Sequence, residues 1–220
     1  MGTGDGARSD RKPGDLVDPG VPIERIAPAP YVSRGGEKLA GALDAFGVDP
    51  TDLVCLDVGA STGGFTDCLL QRGASRVYAL DVGRGQLAES LRADPRVVSL
   101  ERTHARRLDP TDPEAITLPE SVDLAVIDVS FISVTRILPG VVQQLRRGGT
   151  IICLVKPQFE SEPRDVPKGV VRDPAVRARA VERVRAAAVE IGLEPRGTCE
   201  SPLLGPSGNH ESFLLLGVPT

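Results

Sequence analysis

The chain has no tryptophan, and its two tyrosines and five phenylalanines make aromatics only 3% of 220 residues. Its interior must therefore be built from aliphatic side chains. No C-x-x-C pair occurs. Cys55, Cys68, Cys153 and Cys199 are widely spaced and mostly sit inside apolar runs, where cysteine acts as a small hydrophobe. Reduced core thiols are expected, with no metal site. No apolar run approaches the length of a bilayer crossing, and the chain opens on polar residues, not on a charged-then-apolar signal pattern. The expected location is the cytoplasm, with no membrane partner. Excess positive charge is missing too. A net charge of -4 and a pI near 5.3 count against gripping phosphates over a broad surface, though a local basic patch stays open.

What is present is ordinary for one soluble α/β domain: 40% hydrophobic residues, 25% charged residues, and a strong alternation of patterns. Residues 1–30 hold five Gly and five Pro among many charges. They read as a flexible arm, either a plain leader or a segment that folds over a site. From Glu37, the residues Leu39, Leu43 and Phe46 fall on one helix face that Gly47 ends. Residues 53–58 form a continuous apolar strand, followed by a helix that buries Phe65, Leu69 and Leu70 and reaches Gly73. A strand over 76–82, a short helix near 86–92 and a strand over 96–100 follow. The rhythm returns with a strand over 122–129, a helix around 133–145 and a strand over 149–156. Residues 158–172 form a polar loop too long for a plain connector. A helix then starts with Asp173 as N-cap and Pro174 at its first position and runs to Gly192, and residues 212–218 make a last strand. Alternation of this kind predicts a parallel sheet with helices on both faces.

The stretch "CLDVGASTGGF" sets a buried strand against a glycine-rich turn and a helix start, which brings free main-chain N–H groups to the carboxyl edge of the sheet. The turn, Gly59-Ala60-Ser61-Thr62-Gly63-Gly64, is neither G-x-G-x-x-G nor a P-loop. Asp81 ends the second strand 24 residues after Asp57, about the interval at which such folds hold a ribose diol. Asp57, Gly59, Gly63 and Asp81 together suit an adenosine-bearing ligand without a phosphate chain, and S-adenosylmethionine is the natural candidate. The other reading is that the glycines only let the helix pack closely on its strand.

In order along the chain, "VSRGGEKL", "LDVGASTGGFTDCLL", "ALDVGRGQLA", "IDVSFIS", "LVKPQFE" and "GPSGNHESFLLL" resemble the TlyA family, haemolysin-A-like enzymes that methylate ribose 2'-hydroxyls of ribosomal RNA, within the wider FtsJ group. The resemblance implies a Rossmann-like class I methyltransferase fold, α/β with a mostly parallel seven-stranded sheet, over residues 31–220. It implies a Lys-Asp-Lys-Glu active site at Lys38, Asp128, Lys156 and Glu211. The bland alternative is two surface ion pairs. It further implies cofactor contacts from Gly59, Ala60, Ser61, Gly63, Phe65 and Asp81. Asp57 holds the turn or reaches the methionine amine, and Asp128 also faces the cofactor.

A ribose hydroxyl is a poor nucleophile, so methyl transfer needs a base and in-line alignment. Lys156 is assigned as the base in its neutral form, Asp128 and Lys38 as orienting groups, and Glu211 as the residue that positions a lysine. The charge of Lys38 favours a neutral Lys156, whereas Asp128 and Glu211 oppose it.

Two departures from the family pattern bear on the substrate. An S4-like RNA-binding domain usually precedes the catalytic part, and here the Gly/Pro-rich arm stands in its place. His104, in "ERTHARRL", occupies a position usually held by Asn or Asp near the adenine edge. It is read as a neutral group beside adenine, with a substrate-facing role as the alternative. His210 is equally open. Arg106, Arg107, Arg177, Arg179, Arg183 and Arg185 either contact phosphates or form a solvated face. Ribosomal RNA or a ribosomal subunit is the first expected acceptor and a small molecule the second. A non-catalytic binding protein, either a ribosome-associated remnant or a membrane-active haemolysin, is the third reading; no amphipathic or spanning segment supports the latter, and an idle protein has no need for a complete tetrad. Nothing in the sequence fixes an oligomeric state.

Overall fold

The computed structural model describes residues 29–220, so the arm expected over 1–30 lies outside the described residues apart from its last two positions. The apolar runs become strands β1 (Val54–Val58), β2 (Arg76–Leu80), β3 (Val97–Leu100), β4 (Val122–Ile127), β5 (Leu145–Val155), β6 (Glu194–Glu200) and β7 (Ser212–Gly217). They form one sheet in the order β3-β2-β1-β4-β5-β7-β6. The first five strands pair in parallel, whereas β7 runs antiparallel to both β5 and β6.

Side chains alternate between two apolar layers, as the strand period of two requires. Leu56, Val58, Ala125, Ile127, Ile151 and Cys153 enter one core, while Cys55, Leu124, Val126, Ile152 and Leu154 enter the other. Each fully buried aliphatic side chain contributes about 1.5–3 kcal/mol. The second core is covered by α1 (Arg34–Phe46), α2 (Gly64–Gln71) and α3 (Glu89–Arg92), through Leu39, Leu43, Leu69 and Leu91. The first is covered by α4 (Leu138–Val142) and α6 (Pro174–Glu190), through Val141, Val184 and Ala188. Asp173 caps α6, its Oδ1 accepting the Ala175 N–H at 2.8 Å. All four cysteines are free, and burial pushes the Cys55 and Cys153 thiols up to about 12 and the Cys68 thiol to about 11.

Three segments differ from the sequence expectation. The helix expected over 133–145 is a 3-10 turn at Val134–Arg136 followed by the short α4, because Leu145 already pairs with Val122 as the start of β5. Pro139 and Gly140, both weak helix formers, fall in α4, and Gly140 packs so closely that a Cβ there would stand 2.6 Å from Asp109 N. The long loop over 158–172 contains 3-10 turns at Pro163–Asp165 and Pro167–Gly169, preceded by α5 (Pro157–Glu160). β6 has no counterpart among the six strands read from the residue pattern, although the seven-stranded sheet implied by the resemblance requires it.

Candidate active site

Strand order reverses between β1 and β4, and in open α/β sheets the crevice at that point receives ligands. Here the crevice is a cleft of about 240 Å³, lined among others by Lys38, Gly59, Ala60, Ser61, Asp128 and Lys156. Main chain reaches it because two glycines allow close approaches. Gly59, at φ 91, would place a Cβ 2.5 Å from Asp128 O, so only glycine lets the turn cross the end of β4. Gly64 would place one 2.2 Å from Ser33 Oγ and 2.9 Å from Gly36 N, where α2 meets α1. Neither contact sets α2 on its strand β1, as the close-packing reading would have it, and the turn lines the cleft through Gly59, Ala60, Ser61 and Thr62.

The two acids of the turn have different settings. Asp57 is fully buried beneath it, accepts the Thr66 hydroxyl at 2.7 Å through Oδ2, and leaves Oδ1 without a partner. Burial pushes its carboxyl up to about 7, Thr66 opposes the rise, and Asp128 and Asp81 add to it. Asp57 does not line the cleft. Asp81 accepts the Ser61 N–H at 2.8 Å and the Gly83 N–H at 2.7 Å, which pins the turn from the end of β2. It borders a narrow recess of about 10 Å³ with Ala60, Leu87, Ser99 and Glu101. Gln86 lies across this recess, its Oε1 3.4 Å from Ser61 Oγ and its Nε2 packed on Gly83. Gly63 packs against Leu87 and Leu91, and Phe65 is buried against Phe213 with its ring also at the cleft.

The four ionisable side chains form two pairs. Lys156 Nζ stands 2.6 Å from Asp128 Oδ1 and donates a hydrogen bond to Ser130 Oγ at 3.0 Å. Lys38 donates to Glu211 Oε2 at 2.5 Å, with both side chains almost wholly enclosed. Lys38, Asp128 and Lys156 share the cleft wall, and Glu211 sits behind Lys38, out of the cleft. Surface ion pairs these are not.

His104 lies elsewhere. Its Nδ1 accepts the Arg106 N–H at 3.1 Å, which leaves Nε2 as the proton-bearing nitrogen of the neutral ring. It borders an open groove of about 600 Å³ together with Arg106, Arg136, Arg183, Phe131 and Phe159. His210 is exposed. Among the other expected arginines, Arg107 pairs with Glu114 and Arg185 with Glu182. Sequence reasoning missed Ser130 and Thr66, although both fall inside the motifs quoted above, two residues past Asp128 and nine past Asp57.

A mostly parallel seven-stranded sheet with a reversed strand near one edge, and a cleft of exposed main chain and acids at its switch point, defines a Rossmann-like methyltransferase. The same fold occurs in an S-adenosylmethionine-dependent methyltransferase from Mesorhizobium loti, with a TM-score of 0.58 and 18% identity over 82% of this chain and 97% of that one. More particularly, the profile of the FtsJ-like methyltransferase family matches residues 31–218. The chain belongs to that family and is a methyltransferase. It is 55% identical over 191 residues to the 16S/23S rRNA (cytidine-2'-O)-methyltransferase TlyA of Mycobacterium tuberculosis, a match covering 86% of this chain and 69% of that protein. A solved structure from Streptococcus thermophilus, provisionally described as a hemolysin, superposes with a TM-score of 0.82 at 42% identity, covering 89% of this chain and 70% of that one.

Proposed function

We propose that this methyltransferase transfers a methyl group from S-adenosylmethionine to a ribose 2'-hydroxyl of ribosomal RNA, with residues 31–220 as the catalytic unit. The observation that carries the reading is the meeting of Lys38, Asp128 and Lys156 on one cleft wall beside the main chain of Gly59, Ala60 and Ser61. The donor set fits the cofactor. Asp81 spends one acceptor site of each oxygen on main-chain N–H groups, which leaves capacity for ribose hydroxyls. With Asp81 and Asp128 bordering the turn, a phosphate chain would meet like charge, whereas a sulfonium would not. Gln86 swings aside to admit the adenosine, and Gly59, Ala60, Ser61, Gly63 and Phe65 contact it.

When bound, S-adenosylmethionine supplies an electrophilic methyl group on sulfur. Lys156, as the neutral amine, would take the proton of the 2'-hydroxyl as the methyl passes to that oxygen and its bond to sulfur breaks, the thioether leaving, and Asp128 would hold the resulting ammonium of Lys156 as an ion pair. Asp128 and Ser130 aim the amine, Lys38 orients the acceptor oxygen, and Glu211 fixes Lys38.

RNA is favoured over a small acceptor by the groove beyond Asp128, where three arginines and two phenylalanines offer phosphate contacts and stacking faces. His104 meets the acceptor there in this reading. An rRNA substrate also places the enzyme in the cytoplasm. The test is incubation with methyl-labelled cofactor and either ribosomal subunits or a low-molecular-weight extract. Label is expected in rRNA, and label confined to small molecules overturns the reading. Lys156→Ala is expected to abolish turnover with cofactor affinity near wild type, whereas Asp81→Ala mainly weakens cofactor binding.

A further inference from the structure

The segment that follows β4 carries Asp128, on the cleft wall, and Ser130, which holds Lys156, yet its own main chain holds it poorly. Asp128 N–H donates to Val58 O at 2.9 Å, but among the described residues no N–H of residues 129–133 has a backbone partner. Within this span Phe131 is 90% exposed at φ 66, a backbone conformation that a bulky side chain adopts only when its surroundings impose it.

The restraint comes from one short stretch of chain. Lys156 reaches Ser130, the Phe159 ring lies 5.4 Å from Phe131, and the Glu160 carboxylate accepts both the Ser133 hydroxyl at 2.5 Å and the Val134 N–H at 2.7 Å. Only the last of these contacts is deeply enclosed, for Glu160 is 3% exposed. Its main-chain carbonyl also accepts from Arg183 Nη1 at 3.2 Å, which ties the stretch to α6. Burial raises the Glu160 carboxyl, and Ser133, Val134 and Arg183 act against the rise.

We infer that Glu160 is a positioning residue for methyl transfer. One helical turn past Lys156, it reaches back to clasp the far end of the segment that begins at Asp128. The groups on the two strand ends, Asp128 and Ser130 on one and Lys156 on the other, are thus held in register by a residue that touches neither cofactor nor acceptor. Without its carboxylate, two donors lose their buried acceptor and the strained Phe131 turn is free to relax. The kinetic part of the test rests on the proposed function, and the exchange part does not.

Glu160→Ala is expected to speed amide hydrogen exchange in residues 129–135 at least tenfold, with α1, β1 and α2 keeping wild-type protection. Turnover on ribosomal subunits is expected to fall ten- to hundredfold while cofactor affinity stays within twofold. Glu160→Gln keeps the shape and an acceptor oxygen, and is expected to recover most of both. Adding Ser130→Ala to Glu160→Ala is expected to slow turnover little further, since both act through Lys156. If Glu160→Ala does not fold, Ser133→Ala removes one of the two clasped donors and is expected to act in the same direction with smaller amplitude. Unchanged exchange in 129–135 overturns the inference, as does a parallel fall of turnover, cofactor affinity and global protection. A wild-type enzyme that leaves rRNA unlabelled overturns the substrate reading instead, and the exchange result then decides the clasp alone.

Discussion

Glu211 is the member of the quartet least open to solvent, with Oε2 on Lys38 and Oε1 unpartnered against Gly205, where a Cβ would stand 2.4 Å away. Removing one partner of such a pair strands the other's charge, so Glu211→Ala is expected to lower stability by about 3–5 kcal/mol in urea titration. Replacing both partners with apolar residues, Lys38→Met with Glu211→Leu, is expected to restore most of that stability and none of the turnover. This contrast separates what the pair does for the fold from what Lys38 does in the cleft. The positions of all four groups were readable from motif order along the chain. Their partition into an open pair and a sealed one was not, because Lys38 and Glu211 stand 173 residues apart and only the fold makes them neighbours.

The elements most legible in the sequence were those whose own residues specify them. β1 and β4 are largely apolar and buried, interrupted only by Asp57 and Asp123, and α6 has its Asp-Pro start. β6 was invisible because its residues alternate between exposed and half-buried and include Pro195 and Gly197 at a shift of register. It exists by pairing with β7, and nothing in "EPRGTCE" announces that pairing. Ser130 and Glu160 escaped for a similar reason, since their contacts span 26 or 27 residues across two strand ends. The α1–α2 contact offers a test of how packing reaches the cleft. A methyl group at Gly64 would collide with Ser33 Oγ and Gly36 N, so Gly64→Ala must push apart the helices that carry Lys38 and the glycine turn. It is expected to destabilise by about 1–3 kcal/mol and to weaken cofactor binding measurably in calorimetry.

Taken whole, the molecule carries a net charge of -4, and the proposed RNA groove offers only Arg106, Arg136 and Arg183, so phosphate contact there involves few charges and its salt dependence is expected to be shallow. Stability as a function of pH has a distinct source in Asp57. Its folded value of about 7 lies above the ordinary 3.8, so the folded protein binds the extra proton between those limits. The resulting stabilisation is complete below about pH 4 and is lost as pH rises through about 7. Relative to Asp57→Asn, the wild type is expected to lose a few kcal/mol across that window in unfolding titrations and to run parallel to it above. Among the described residues no helix is long and apolar enough to cross a membrane. The span between Lys38 and Glu211 also sets a schedule for synthesis. A nascent polypeptide can complete β1 to β5 while Lys38 still awaits its counter-charge, and on the proposed mechanism it cannot act until β7, which follows Glu211, has left the exit tunnel.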